Sequence, residues 1–338
     1  MVESRTPIRT YSQLIDEAKR LTAEGRKRRV AVAAAQDPDV LDAVHEASVE
    51  GIVEAHLFGD REKISAICER ADLDQSLFTT HDQPDPAAAA RDAAVFADAG
   101  QADIIMKGFV STSTLMKAVL SKDLRLRMSD TLSHVALLGI PGYHKLLGFT
   151  DGGVVVRPDL KQKMDIVRNY LSVAAALNIE IPKIALLGPP VRDAAPEELV
   201  LECARIVEEF TGRPADPAAA RRSEAGGASE TGAAMRPIVE GPLSLDCALS
   251  AEVAARRGLE SGVCGDADAI VVSAIEECNV VAKSLIVLVG ALFAGVVVGA
   301  TVPVSVVSRT DTRENKKASI ALACLVSAHR GHNGANRP

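Results

Sequence analysis

Short apolar runs alternate along the chain with longer stretches whose apolar residues recur every three to four positions. Arg29–Ala35, Glu54–Phe58, Asp103–Met106 and His134–Gly139 have the length and composition of strands. Between them, Asp39–Glu50, Arg61–Ala71 and Ala87–Ala99 have helical spacing. The same rhythm resumes with the strand-like runs Lys183–Gly188, Ala269–Ala274, Gly295–Ala300 and Val304–Ser308. Strands alternating with helices of this length predict an α/β fold of βαβ units with mostly parallel sheets. Ligands of such sheets sit beyond the carboxyl ends of the strands. Those ends are predicted at Lys107-Gly108, Thr150-Asp151, Glu240-Gly241-Pro242 and Ser308-Arg309.

Three stretches depart from the rhythm. Ser284 to Ser308 carries no charge and is long enough to span a bilayer. Gly290, Gly295, Gly299 and Pro303 interrupt it, and its second half is rich in valine, so it reads instead as a helix end followed by two short strands buried on both faces, as in a parallel sheet. Pro214 to Pro237 mixes Ala, Gly, Pro and charge without an apolar face and reads as a long loop. The residues from His329 onward read as a frayed tail, in which His329 and His332 have metal-like spacing but no carboxylate partner nearby.

A chain of 338 residues exceeds the length at which a single core stops growing, so two domains are expected. Aromatic residues make up only 3% and Trp is absent, which leaves Ala, Val, Leu and Ile to build the core. The formal charge of −7 argues against a nucleic-acid protein, whose basic face must displace counterions, but leaves room for a small anion in a local positive cleft. None of the six cysteines forms a C-x-x-C pair, so zinc and dithiol readings lose their spacing and reduced thiols of a cytoplasmic chain are expected. The opening MVESRTPIRTYSQL lacks the apolar run of a signal peptide.

The familiar nucleotide signatures are missing: there is no G-x-x-x-x-G-K-[ST] loop, no G-x-G-x-x-G after the first strand, and no G-x-S-x-G elbow. Three other places carry candidate chemistry. Pro303 to Ala323 delivers Ser308, Arg309 and Asp311 onto the turn before a helix, where free N–H groups and the dipole favour an anion and Arg309 adds a fork for phosphate. The simpler alternative is that Ser308 or Asp311 caps the helix. Met106 to Leu120 ends a strand at Lys107-Gly108 and opens a helix with the hydroxyls of Ser111, Thr112, Ser113 and Thr114, which suit a phosphate oxygen or an ordinary cap. Leu146 to Tyr170 places Asp151 at a strand end before two glycines, and Asp159 in the first turn of a helix, where a structural role is expected.

Four segments, in this order, resemble the phosphate acetyl/butyryltransferase family, and its butyryl branch more closely. They are Met106–Leu120, Ser133–Val167, Ile238–Glu252, and Gly265–Leu285 continuing to Gly299–Ala323. The resemblance implies two α/β/α domains with mostly parallel sheets and an active-site cleft between them. The second domain, 141–297, is inserted into the first, 1–140 plus 298–338. It implies exchange of a short acyl group, butyryl or acetyl, between coenzyme A and inorganic phosphate by direct attack in a ternary complex. Coenzyme A is then a substrate, with no bound cofactor and no metal. A homodimer or larger homo-oligomer is expected, with no nucleic-acid or membrane partner.

Carried onto this chain, the resemblance makes Ser308, Arg309 and Asp311 the catalytic candidates. Ser308 and nearby N–H groups would meet the oxyanion, Arg309 the phosphate, and Asp311 the proton of the coenzyme A thiol in the reverse direction. The substrate-binding candidates are Lys107, Gly108, Ser111, Thr112, Lys117, Asp151, Asn279 and Lys283. Departures from the family pattern are equally specific. Asn315 stands where the acetyl branch has its proposed catalytic aspartate, Lys117 replaces an arginine, Ser111 a histidine, and Gly152-Gly153 a pair of alanines. They motivate one alternative, a relative that binds coenzyme A or acyl phosphate without transfer. A second alternative is a decarboxylating dehydrogenase of the isopropylmalate or hydroxythreonine-phosphate type, which needs spaced metal-binding carboxylates.

Overall fold

The computed structural model describes residues 6–25, 27–189, 195–212, 236–308 and 311–333, side chains of 331–333 excepted. The predicted loop at 214–237 therefore lies almost wholly outside the described residues, as does Arg309. The chain begins with α1 (Tyr11–Ala23), β1 (Arg28–Ala33), α2 (Pro38–Val49), β2 (Val53–Gly59), α3 (Arg61–Ala71), β3 (Phe78–Asp82), α4 (Pro86–Asp98), β4 (Ile104–Lys107) and α5 (Thr112–Val119). It continues through β5 (Ser133–Gly139), β6 (Leu147–Thr150), α6 (Leu160–Ala176), β7 (Lys183–Leu187), α7 (Glu197–Thr211), β8 (Ile238–Leu243), the short α8 (Leu245–Leu249) and α9 (Ala251–Arg256), and β9 (Ala269–Val271). It closes with α10 (Ile275–Val289), β10 (Leu292–Val298), β11 (Val304–Ser305) and α11 (Arg313–Asn333).

Helix entries follow the side-chain chemistry. Asp37 and Asp85 each cap a helix whose first residue is proline, a residue that gives up no hydrogen bond at that position. Thr10 with Gln13, and Asp159 with Gln162, form reciprocal capping boxes, so Asp159 has the structural role expected of it. The last helix extends to Asn333, so the predicted frayed tail from His329 is helical in its first five residues. Among the described residues no helix is long and apolar enough to cross a membrane.

The chain divides into two compact units, residues 10–130 with 292–338, and residues 1–9 with 131–291. In the first, the strands lie in the order β3-β2-β1-β4-β11-β10. All neighbours there are parallel except β10 and β11, which pair antiparallel. The two strands expected after the uncharged helix are thus present and buried, but the second reverses on the first: alternation of side chains does not encode strand direction. In the second unit the order is β5-β6-β9-β7-β8, with β5 and β6 antiparallel and the rest parallel. The fold is the α/β architecture with mostly parallel strands that the rhythm predicted. Its core is built from small residues: Ala89, Ala90, Ala93, Ala94 and Ala97 of α4 are all buried, and that helix packs on β1 and β2.

Candidate active site

In the first unit, register aligns the strand ends that carry the candidate residues. Ala33 of β1 faces Lys107 of β4, while Val304 and Ser305 of β11 face Ile105 and Met106. The chain leaving β4 at Lys107-Gly108 therefore lies between the exits of β1 and β11. Gly108 is required there. A Cβ on it would sit 2.2 Å from the carbonyl oxygen of Ala34 and 2.7 Å from that of Ala33, both rigid backbone atoms. Its N–H donates to the Ala33 carbonyl at 2.9 Å, and that of Phe109 to the Ala34 carbonyl at 2.6 Å. Lys107 is only 6% exposed.

Ser111 is the N-cap of α5. Its Oγ accepts from the Thr114 N–H at 3.0 Å and lies 2.9 and 2.8 Å from the hydroxyls of Ser113 and Thr114. Thr112 opens the helix, and Lys117 is exposed in its last turn. The hydroxyl cluster thus caps a helix and also presents exposed oxygens beside the strand end.

Ser308 is exposed after β11, and its N–H donates to the Asp311 carboxylate while its carbonyl accepts from the Asp311 N–H at 3.2 Å. The side-chain oxygen at the helix entry comes from Thr312, which accepts from the Asn315 N–H at 3.2 Å. The capping alternative for Ser308 and Asp311 is thereby corrected: the adjacent Thr312 takes that role, and the Asp311 carboxylate accepts from the Ser308 N–H instead. Asn315 is 3% exposed, and its Oδ1 accepts from the Phe293 N–H at 3.0 Å. It binds α11 to β10 and has no acid–base function.

Two residues of this cluster escaped the sequence reading. Lys316, 1% exposed, donates from Nζ to the Asp311 carbonyl. Its signal was present, since Lys316, Ser319, Ile320 and Ala323 share one buried stripe of α11. Tyr11 of α1 has a buried hydroxyl without a hydrogen-bond partner among the described residues, and burial together with the charge of Asp311 pushes the phenol well above its ordinary range.

In the second unit Asp151 follows β6 and is 1% exposed. Its Oδ1 accepts from the N–H groups of His134 (3.2 Å), Gly153 (2.7 Å) and Val154 (3.1 Å), and its Oδ2 from that of Val155 (2.9 Å). Burial raises the carboxyl above its usual range against the pull of those four donors. A Cβ on Gly152 would meet the Cys278 sulfur at 2.7 Å and His134 Nδ1 at 3.1 Å, which accounts for the glycine at this position and brings the first turn of α10 against the Asp151 loop. Burial pushes the Cys278 thiol up to about 12. Asn279 follows it, with Nδ2 donating to the Ile275 carbonyl at 3.1 Å, and Lys283 is exposed one turn further.

A cavity of about 830 Å³ opens beyond β7 and β9, lined among others by Lys163, Glu198, Glu202, Ser273, Glu276 and Glu277. Its lysine is ion-paired to Glu202 at 2.9 Å and bonded to Ser273 at 3.2 Å, so its rim is acidic. Glu240-Gly241-Pro242, predicted as a strand end, lies inside β8, where Glu240 Oε1 accepts from the Gly262 N–H at 3.0 Å.

Known proteins share the sequence pattern and the fold of this chain. The sequence pattern described as phosphate acetyl/butaryl transferase matches residues 85–213 and 221–324. The chain is 36% identical over 323 residues to a phosphate butyryltransferase of Clostridium acetobutylicum, covering 96% of this chain and 100% of that one. It is 33% identical over 303 residues to a phosphate acetyltransferase of Thermotoga maritima, covering 90% and 96%. A branched-chain phosphotransacylase from Enterococcus faecalis V583 superimposes with a TM-score of 0.71 at 28% identity, covering 89% of this chain and 99% of that one. With its pattern matched over both units and its length shared with these relatives, the chain belongs to the phosphate acetyl/butaryl transferase family.

Proposed function

We propose that the protein transfers a short acyl group, butyryl or acetyl, between coenzyme A and inorganic phosphate. The observation that carries the proposal is the bonded pair Ser308 and Asp311, which follows β11 beside the Lys107-Gly108 exit of β4 in a chain of this family. A phosphate oxygen attacks the thioester carbon, the C–S bond breaks, and coenzyme A leaves as the thiolate. In reverse, Asp311 takes the thiol proton, the thiolate attacks the acyl phosphate carbon, and the bond from that carbon to the phosphate oxygen breaks to release phosphate. Ser308 and its neighbouring N–H groups meet the oxyanion, and Arg309 is assigned to phosphate for its bidentate fork. Lys107 adds a cation at the same strand end; Ser111, Thr112 and Lys117 supply donors at the next helix.

Asp151, Asn279 and Lys283 are assigned to the coenzyme A side of the reaction, Asp151 by shaping its loop and Lys283 by charge. In the same proposal the second domain, residues 141–297, is inserted into the first, supported by the pairing of β4 with β11, which come from either side of it. A cytoplasmic location is supported by the six free cysteines. Self-association is supported by the aliphatic face of α10, where Val280, Val287 and Leu288 are 66–79% exposed.

The test is thiol release from acetyl-, propionyl- and butyryl-coenzyme A, with and without phosphate, followed by a colorimetric thiol reagent. Phosphate-dependent release is expected, and the fastest substrate names the acyl group. Release that ignores phosphate would make the protein a thioesterase. A folded protein that binds coenzyme A without release would instead favour the non-transferring alternative.

A further inference from the structure

We propose that Lys316 is a positioning residue for acyl transfer, its buried ammonium fixing the Ser308–Asp311 turn from beneath. The inference rests on the reading of that turn as catalytic. Lys316 is 1% exposed, among the largest fully buried side chains of the chain. Among the described residues its Nζ has one hydrogen-bond acceptor, the Asp311 carbonyl. The nearest carboxylate, Asp39, stands 3.7 Å away and is itself 65% exposed, so water screens that pair.

An ammonium taken out of water is destabilising unless its surroundings offset the loss of hydration. Packing alone does not require the charge. The position lies on the buried stripe of α11 with Ser319, Ile320 and Ala323, where a methionine of similar length would fill the same space. The charge acts on the turn. It grips the Asp311 main chain from inside the helix, while the Asp311 carboxylate holds the Ser308 N–H and the Ser308 carbonyl takes the Asp311 N–H. Ser308 and Asp311 are thereby tied to each other and, through one lysine, to α11, and the same lysine sets a positive field under the residue assigned as base.

The experiment compares Lys316→Met and Lys316→Arg in the full chain by two readouts. The first is hydrogen exchange of the peptide covering Val306 to Thr312, which needs no activity. The second is the kinetics of phosphate-dependent thiol release. A hydrogen bond to a charged group accounts for about a 10- to 100-fold effect. In Lys316→Met, exchange in this peptide should accelerate and kcat should fall by factors of that order, with KM for acyl-coenzyme A unchanged. Lys316→Arg should restore part of both. A merely structural lysine would lower the melting temperature and leave kcat and the local exchange alone, and that result overturns the proposal. If the wild type shows no phosphate-dependent release, the acyl-transfer reading fails, while the exchange comparison still decides whether Lys316 holds the turn. Should Lys316→Met not fold, Lys316→Gln keeps a donor for the Asp311 carbonyl, removes the charge, and carries the same readouts.

Discussion

Replacing Asp151 with alanine separates a loop-building carboxylate from a ligand-binding one. Four backbone N–H groups donate to it, and a hydrogen bond to a charged group contributes about 1.5–3 kcal/mol, so an uncritical sum would approach 6–12 kcal/mol. Two effects reduce it. Burial opposes the charged form and raises the carboxyl, which offsets part of the gain. Three of the donors, those of the exposed Gly153 and the half-buried Val154 and Val155, regain water once the side chain is gone, so the main loss falls on the bond from the buried His134 N–H. The expected loss is about 1–3 kcal/mol, the range for removing the partner of a buried hydrogen-bonding group. Urea unfolding followed by far-UV circular dichroism measures it; the chain has no Trp to report by fluorescence. Asp151→Asn keeps one acceptor and should fall between the two. An Asp151→Ala midpoint equal to wild type, with only KM for acyl-coenzyme A raised, would refute the reasoning and place the carboxylate on the ligand.

Two further outcomes follow from packing and charge. Gly108→Ala drives a methyl group into the carbonyl oxygens of Ala33 and Ala34, so it should cost about 1–3 kcal/mol or more and lower the urea midpoint; an unchanged midpoint would show that the β4 exit yields. Burial works to raise the Asp266 carboxyl, but hydrogen bonds from Lys145, Lys183 and His144 prevail and hold it well below the usual range. A depressed folded value means stability that is complete above the unfolded pKa of about 4 and is lost as pH falls toward the folded one. Asp266→Asn should therefore flatten the acid limb of a stability-versus-pH curve, and superimposable limbs for the two proteins would dismiss the cluster as a source of pH dependence.

Much of the scaffold was legible because burial on both faces writes continuous apolar runs, as in β1, β4 and β10. β3 was not, since Phe78–Asp82 is a half-exposed edge strand of mixed polarity. The direction of β11 was illegible for a different reason: a two-residue strand leaves its pairing to its neighbours. At the site, motif spacing located the Ser308 turn and the Lys107-Gly108 exit. It was silent on what each side chain touches. Thr312, one residue past Asp311, takes the cap, and Lys316 differs from its neighbour Lys317 only in facing inward; Lys317 instead pairs with Glu46 and Glu50. Asp151 read as a strand-end carboxylate, and only the four amides around it reveal its hold on the loop.

The position of β11 also bears on how the chain is made. Its neighbour β4 leaves the ribosome roughly two hundred residues earlier, which at cellular translation speeds is on the order of 10–40 s. Throughout that interval β4 presents an open row of amides, and α1 and α2 lack α11, the helix that packs on both. The first-born part of the chain must wait, sticky and half-built, for the last-born part. A nascent chain stalled before Val304 is thus a substrate for chaperones and proteases, and an isolated N-terminal fragment of 130 residues would aggregate where the whole chain folds.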